Sequence, residues 1–236
     1  MSSRYGYYLL SICTLLLLTS AASHALPLAT NSPTGTNAPA VAVDPASKLL
    51  SEALIKMRVN DVDGALTKLN ESIALDSHIP ASFLLRASIY YQRKQWAQAE
   101  QDFKAASNLN PQNLIKFNLY EVMLLQKKYD AARAGFVTLQ GDPDMGDYAS
   151  YLVFLCDLTA GHDAVARMEL EAFDGIDTKP SRYFAHAAWS LVHKNIDDAR
   201  GWLISASQIY PPNKNGFYSQ PLRDLGFLPL PPPLPK

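Results

Sequence analysis

Histidines could indicate a metal site or a catalytic site, because imidazole is the side chain that most often binds a metal ion or transfers a proton near neutral pH. Beyond residue 25 they are His78, His162, His186 and His193, and none lies in a His-Glu-x-x-His segment. His186 and His193 would lie about 10 Å apart along a helix that rises about 1.5 Å per residue, which is too far for one ion. We therefore expect no metal site and no cofactor.

The segment Asp142-Pro-Asp-Met-Gly-Asp147 has the carboxylate density of a calcium loop. A calcium loop needs a bidentate acid at its twelfth position, and that position holds Val153. The segment is more typical of a turn whose aspartates cap the next helix. The sequence also has no Gly-rich phosphate loop and no serine in a Gly-x-Ser-x-Gly setting. We expect no catalytic residues.

Two cysteines are present, Cys13 and Cys156. Cys156 ends the apolar run that begins at Tyr151, and this setting predicts a buried small side chain rather than a reactive thiol. The whole chain of 236 residues is 48% hydrophobic and has a formal net charge of -1. It therefore has enough apolar residues for a core, and it lacks the basic stripe that nucleic acid would require.

The first 25 residues have the pattern of a secretory signal peptide. Arg4 precedes an apolar run from Tyr7 to Leu18, and Ser23 and Ala25 are small residues before the expected cleavage site. The run is shorter than the roughly 20 apolar residues that span a bilayer, although a retained anchor stays open as an alternative. Residues 26–45 lack apolar periodicity and predict a disordered linker. We expect an exported protein, periplasmic or secreted.

From residue 46 onward, apolar residues recur at helical spacing in five similar segments. Each segment has an alanine that is followed four positions later by a large apolar residue, which places both on one face of a helix. These pairs are Ala65 and Leu69, Ala99 and Phe103, Ala132 and Phe136, Ala164 and Met168, and Ala199 and Leu203. The alanines are 34, 33, 32 and 35 residues apart. A second apolar helix precedes each alanine, so each segment is a helix hairpin.

The second segment resembles a tetratricopeptide repeat (TPR) most fully. Counted from Pro80, the bulky, small and aromatic positions of that repeat are filled by Phe83, Ala87 and Tyr90, and the later positions by Ala99, Phe103, Ala106 and Pro111. The resemblance implies an all-α fold, a right-handed superhelical array of about five TPR-like antiparallel helix pairs, or α-solenoid. The expected repeats are residues 46–78, 80–111, 113–144, 145–177 and 180–211, with a capping segment at 212–228 and a Pro-rich tail at 229–236.

Two repeats depart from the pattern. The third has Tyr120 at the eighth position, where a small residue is expected, and the fourth has Gly161 and Glu171 where a bulky and a small residue are expected. These departures leave the helix packing of the third and fourth pairs open.

In TPR proteins, ligands contact the concave side, which is formed by the first helix of each pair. The resemblance therefore implies a partner-binding face made by Leu50, Leu54, Met57, Leu84, Ser88, Tyr91, Phe117, Glu121, Leu124, Phe184 and Ala188. This face is mostly apolar. TPR domains that clamp a terminal carboxylate have lysine and asparagine where this sequence has Leu50 and Leu54, so we expect no such clamp.

The leading prediction is a non-enzymatic scaffold that binds a protein or peptide partner through this face, as part of an envelope assembly. One alternative is that the face is buried within the core, and another is that the Pro-rich tail fills it. A further alternative is a structural homo-oligomer, and a small-ligand protein or an enzyme is the most remote one. No nucleic-acid partner is expected, and contact with a membrane is expected only through a partner or an uncleaved signal.

Overall fold

A computed structural model describes residues 44–175 and 179–229, and these residues form eleven α-helices and no strand. The predicted signal peptide, nearly all of the predicted linker and all but the first residue of the predicted Pro-rich tail lie outside the described residues. The helices are α1 (Pro45–Arg58), α2 (Val62–Leu75), α3 (Pro80–Gln92), α4 (Trp96–Leu109), α5 (Asn113–Leu125), α6 (Tyr129–Val137), α7 (Gly146–Ala160), α8 (Asp163–Phe173), α9 (Pro180–Val192), α10 (Ile196–Ile209) and α11 (Pro212–Asp224).

The helices begin where side chains and prolines favour a first turn. Asp44, Asp61 and Asn195 each accept a hydrogen bond from a backbone N–H of the helix that follows, which satisfies a donor that has no partner within the helix. Four helices, α1, α3, α9 and α11, have proline in the first turn, where its missing N–H is no loss.

The tight turn inside each helix pair has the same backbone conformation five times. One residue in each turn has a positive φ, between 57° and 80°: Asn60, Lys94, Lys127, Gly161 and Lys194. These residues are 34, 33, 34 and 33 positions apart. In every case, a buried alanine lies five residues further on: Ala65, Ala99, Ala132, Ala166 and Ala199. The repeat is therefore present in the backbone as well as in the side-chain pattern.

This register corrects the fourth repeat. The sequence favours Ala164 and Met168 as the packing pair, but Ala164 is exposed and Met168 is 72% exposed. Ala166 and Leu170 lie in the core instead. The prediction was wrong by two positions because both alanines have an apolar residue four positions later. Gly161 is the turn residue of this repeat, and its φ of 80° is a conformation that glycine adopts without strain.

The described residues form two compact units, 44–115 and 116–229. The first contains helices α1 to α4, and its core includes Ala53, Ala65, Leu69, Leu85 and Ile89. The second contains the remaining helices, apart from the first residues of α5, and its core is rich in aromatic residues.

The third repeat tolerates its large Tyr120 because the facing helix has a glycine. A Cβ atom at Gly135 would overlap the ring of Tyr120, and Tyr120 also packs edge-on against Phe136 with 5.8 Å between ring centroids. The small residue expected at position 120 is therefore replaced by a small residue on the other helix.

Candidate functional site

The predicted partner-binding residues of the first unit form an apolar stripe on α1. Leu50, Leu54 and Met57 are spaced four and three residues apart, so they follow one helix face over two turns. All three are partly exposed, and their inner sides pack against the core of the first unit. We call these three residues the α1 stripe.

The predicted residues on α3 are less accessible. Leu84 is 7% exposed and Ser88 is 2% exposed, and the Ser88 hydroxyl donates a hydrogen bond to the carbonyl of Leu84. Tyr91 is partly buried and packs edge-on against Trp96, with 5.3 Å between ring centroids. In the first unit, therefore, the surface available at the predicted positions is the α1 stripe with Tyr91.

The corresponding side chains of the second unit are covered. Phe117, Leu124, Phe184 and Ala188 are all less than 9% exposed, and Glu121 is partly buried. Phe117 stacks against Tyr148, at 5.4 Å between ring centroids, and Tyr148 in turn packs against Phe217 of α11 at 4.1 Å. The C-terminal helix α11 therefore lies against α7 and α9 and covers Phe184, whereas Phe117 of α5 is covered by Tyr148 of α7.

Tyr218 is the central contact of α11. Its ring lies 5.0 Å from Tyr148, 5.8 Å from Tyr151 and 5.7 Å from Phe184, measured between ring centroids. Its hydroxyl donates a hydrogen bond of 2.7 Å to Asp147, on the first turn of α7. Burial and this hydrogen bond raise the pKa of the Tyr218 phenol. The face thus accepts a helix through stacked aromatic rings and one buried polar contact.

The carboxyl groups of Glu121 on α5 and Asp224 on α11 influence each other electrostatically. Burial, together with the negative charge of Asp224 on α11, raises the pKa of the Glu121 carboxyl from its ordinary 4.5 to about 8. Near neutral pH the Glu121 carboxyl therefore holds a proton, which removes the repulsion with Asp224. The interaction between the Glu121 and Asp224 carboxyl groups becomes repulsive as this proton is lost.

We expect Glu121→Gln to make the protein more stable than the parent at pH 8 by about 3 kcal/mol, with little difference near pH 4. Between about pH 4.5 and 8, the folded chain holds a proton on Glu121 that the unfolded chain has released. The free energy of unfolding of the parent therefore falls as pH rises through this window, and the variant loses that slope. Urea unfolding at several pH values measures the difference. Glu171→Gln on α8, where the side chain is 69% exposed, is the control and should keep the slope of the parent.

The residues considered for chemistry have structural contacts instead. His186 stacks on Trp202 at 4.2 Å between ring centroids and bonds Asp174 through Nε2 at 2.8 Å. His193 stacks on Trp189 at 4.0 Å. Within residues 44–175 and 179–229, no three His, Cys, Asp or Glu side chains are grouped so as to hold a metal ion.

The acidic segment and the cysteine also have structural positions. The Asp142 carboxylate accepts hydrogen bonds from the backbone N–H groups of Asp144 and Met145, at 2.9 and 3.1 Å, just before α7. It therefore stabilises a turn, as the sequence indicates. Cys156 is 1% exposed, and burial raises the pKa of its thiol, which disfavours the reactive thiolate. No helix of the described chain is long and apolar enough to span a bilayer.

Solved structures of other proteins share this arrangement of helix pairs. YrrB, described as a TPR protein with an unusual peptide-binding site, aligns with a TM-score of 0.53 at 15% identity, over 74% of this chain and 91% of its own. PilW, a type IV pilus biogenesis factor, aligns with a TM-score of 0.54 at 18% identity, over 77% of this chain and 86% of its own. PilF of Pseudomonas aeruginosa aligns with a TM-score of 0.51 at 13% identity, over 77% and 91% of the two chains.

The chain has the TPR fold. At these identities the likeness concerns the fold alone, and it agrees with the five helix pairs and their spacing. No family model matches the sequence, and no curated protein matches it either.

The sequence did not indicate that residues of α11 pack on the predicted partner-binding face. Phe217, Tyr218 and Leu222 were expected to cap the last helix pair, and they reach back to α7 and α9. The signal available was the apolar spacing of Tyr218 and Leu222, four residues apart, which predicts a helix with one apolar face. That spacing indicates that the apolar face of this helix must be covered, but it does not indicate which other helices cover it.

Proposed function

We propose that this protein is a non-enzymatic binding module that holds a segment of another polypeptide on the α1 stripe. The observation that carries the proposal is the contrast between the two units. In the second unit, α11 packs on the first helices α7 and α9, whereas in the first unit Leu50, Leu54 and Met57 remain partly exposed. A partly exposed apolar stripe at helical spacing is suited to receiving the apolar side of a helix.

The packing of α11 supports a helical ligand. It is a helix of 13 residues whose aromatic side chains enter the face formed by α7 and α9. The same repeat geometry places the α1 stripe on the first helix of its own pair. We therefore propose that the ligand of the first unit is a helical segment that presents apolar or aromatic side chains one turn apart.

An exported location is part of the proposal, and the pattern of residues 1–25 supports it. Cleavage after Ala25 would leave residues 26–45 as a tether ahead of the first repeat. We further propose that the partner belongs to the cell envelope. The mass of the chain purified from that compartment reports whether the cleavage occurs.

The binding test compares two adjacent residues on α1. A photo-reactive side chain at Met57, introduced in the native compartment, captures the partner, and mass spectrometry maps the captured segment. A synthetic peptide of that segment is then titrated against the parent, Leu54→Glu and Ile55→Glu. We expect Leu54→Glu to weaken binding about thirtyfold, because a charge is placed in an apolar contact. Ile55 is 59% exposed and lies on another side of α1, so Ile55→Glu should bind as the parent does.

Circular dichroism of all three proteins separates loss of binding from loss of folding. The proposal fails if the peptide binds Leu54→Glu as well as it binds the parent. Cross-links that join only copies of this chain would favour a structural homo-oligomer instead. Leu84 and Phe117 are unsuitable positions for this test, because both are buried. A charge at either position would unfold the unit that contains it.

A further inference from the structure

An apolar cleft lies along α10, the second helix of the last pair. It has a volume of about 570 Å³. The cleft is lined by Leu191 at the end of α9, by residues of α10 and by the chain that follows α11. The lining includes Ile196, Leu203 and Ile204 of α10, together with Phe227, Leu228 and Pro229.

The described residues leave this cleft open. Ile196 is 52% exposed and Ile204 is 49% exposed, although both line it. Arg200 brings guanidinium N–H donors to an otherwise apolar wall, whereas the Ser207 hydroxyl already donates a hydrogen bond of 2.7 Å to the carbonyl of Ile204. A ligand that fits would be apolar, would have few backbone donors, and would offer a carbonyl oxygen to Arg200.

We propose that residues 230–236 of the same chain, Leu-Pro-Pro-Pro-Leu-Pro-Lys, dock in this cleft. Pro229 lines the cleft and Leu230 is the next residue, so the segment enters at the cleft wall. Such a short connection gives an effective concentration on the order of millimolar, so modest apolar contact is enough for docking.

The length of the segment fits the cleft. Seven residues in polyproline II conformation extend about 22 Å, at about 3.1 Å per residue. The part of α10 that lines the cleft, from Ile196 to Ser207, is about 17 Å long at about 1.5 Å per residue. The segment can therefore follow the helix, with the Lys236 ammonium group beyond its end in water.

The composition of the segment fits as well. Four of its seven residues are prolines, which have no backbone N–H, so only three backbone donors would need partners in an apolar cleft. Leu230 and Leu234 supply apolar side chains. A proline-rich chain also loses little conformational freedom on docking, because it already favours the extended conformation.

This site differs from the α1 stripe in unit, helix and occupant. The sequence raised the possibility that this tail fills the face of the first helices, but in the second unit α11 already packs on α7 and α9 of that face. The cleft on α10 is the apolar surface that the described chain reaches at Pro229. Either proposal can fail without the other.

The test places a photo-reactive phenylalanine analogue at Leu234 in the full chain and maps the cross-linked residues by mass spectrometry. We expect cross-links to residues 196–207 of the same molecule. Mixing isotope-labelled and unlabelled protein before irradiation distinguishes links within one chain from links between chains. Cross-links only between chains would show that the tail occupies a second copy, and links only to residues that do not line the cleft, or no links, would also overturn the proposal.

Two isoleucines on α10 provide a matched pair of variants. Ile204 lines the cleft and is 49% exposed, whereas Ile209 is 54% exposed and is not among the lining residues. We expect Ile204→Glu to lower the cross-link yield about tenfold, the ratio given by ~1.4 kcal/mol of lost apolar contact. Ile209→Glu should leave the yield unchanged. Because both side chains are largely exposed, both variants should keep their helicity. Equal yields from the two variants would contradict the proposal.

Discussion

Replacing Tyr218 with alanine is expected to lower the free energy of unfolding by about 3–5 kcal/mol, the usual cost of removing a buried aromatic ring. Tyr218 is 6% exposed and contacts Tyr148, Tyr151 and Phe184, which lie on two different first helices. Its loss would remove the contact that holds α11 on the face of the second unit. Urea unfolding followed by circular dichroism measures the change.

Tyr218→Phe separates the ring from the hydroxyl. The phenylalanine ring keeps the three aromatic contacts, and only the hydrogen bond to Asp147 is lost. We expect this variant to lower the free energy of unfolding by only about 1–2 kcal/mol. The loss is small because Asp147 still accepts a hydrogen bond of 2.6 Å from Ser181. If the alanine variant loses no more free energy of unfolding than the phenylalanine variant, packing of the Tyr218 ring does not hold α11 on its face. In the alanine variant alone, an apolar dye should bind to the exposed face.

The second large effect concerns the exchange of sizes between Tyr120 and Gly135. We expect Gly135→Ala to lower the free energy of unfolding by about 2–3 kcal/mol, because the added methyl group would overlap the Tyr120 ring. Gly135 lies inside α6, where alanine would otherwise be the better helix former by about 1 kcal/mol. The clash therefore reverses the ordinary preference.

Gly135→Ala should raise the free energy of unfolding, instead of lowering it, when Tyr120 is absent. In a Tyr120→Ala background, Gly135→Ala is expected to stabilise the protein by about 0.5–1 kcal/mol, since only helix propensity remains. A double-mutant cycle from urea unfolding gives the coupling energy between the two positions. Equal effects of Gly135→Ala in the two backgrounds would show that Tyr120 does not set the size limit at position 135. Gly201→Ala is a matched control, because no atom lies within 4 Å of a Cβ built there.

Much of the fold could be predicted because its signals are local. The helix pairs follow from apolar spacing, and the small residues at Ala65, Ala99, Ala132 and Ala199 mark where two helices approach. The fourth repeat was placed two residues early, since Ala164 and Ala166 satisfy the same local pattern. Only the burial of Ala166 and the positive φ of Gly161 distinguish them.

The candidate site could be predicted only in part. Positions on the first helices follow from the repeat, but their exposure depends on what packs against them. Leu50 remains partly exposed, whereas Phe184 is 2% exposed because α11 lies on it. The two residues occupy comparable places in their repeats and have comparable chemistry, so their different exposure cannot be read from either repeat alone.

The sequence by itself therefore determined the helices, their pairing and the apolar character of the predicted binding face. It did so because propensity, turn residues and apolar periodicity act over a few tens of residues. The tertiary structure alone decided the register of the fourth repeat, the fit of Tyr120 against Gly135, and the occupation of the second face by α11. These depend on contacts between residues far apart in the chain, such as Asp147 and Tyr218. Such contacts follow from how well surfaces fit once the helices have formed.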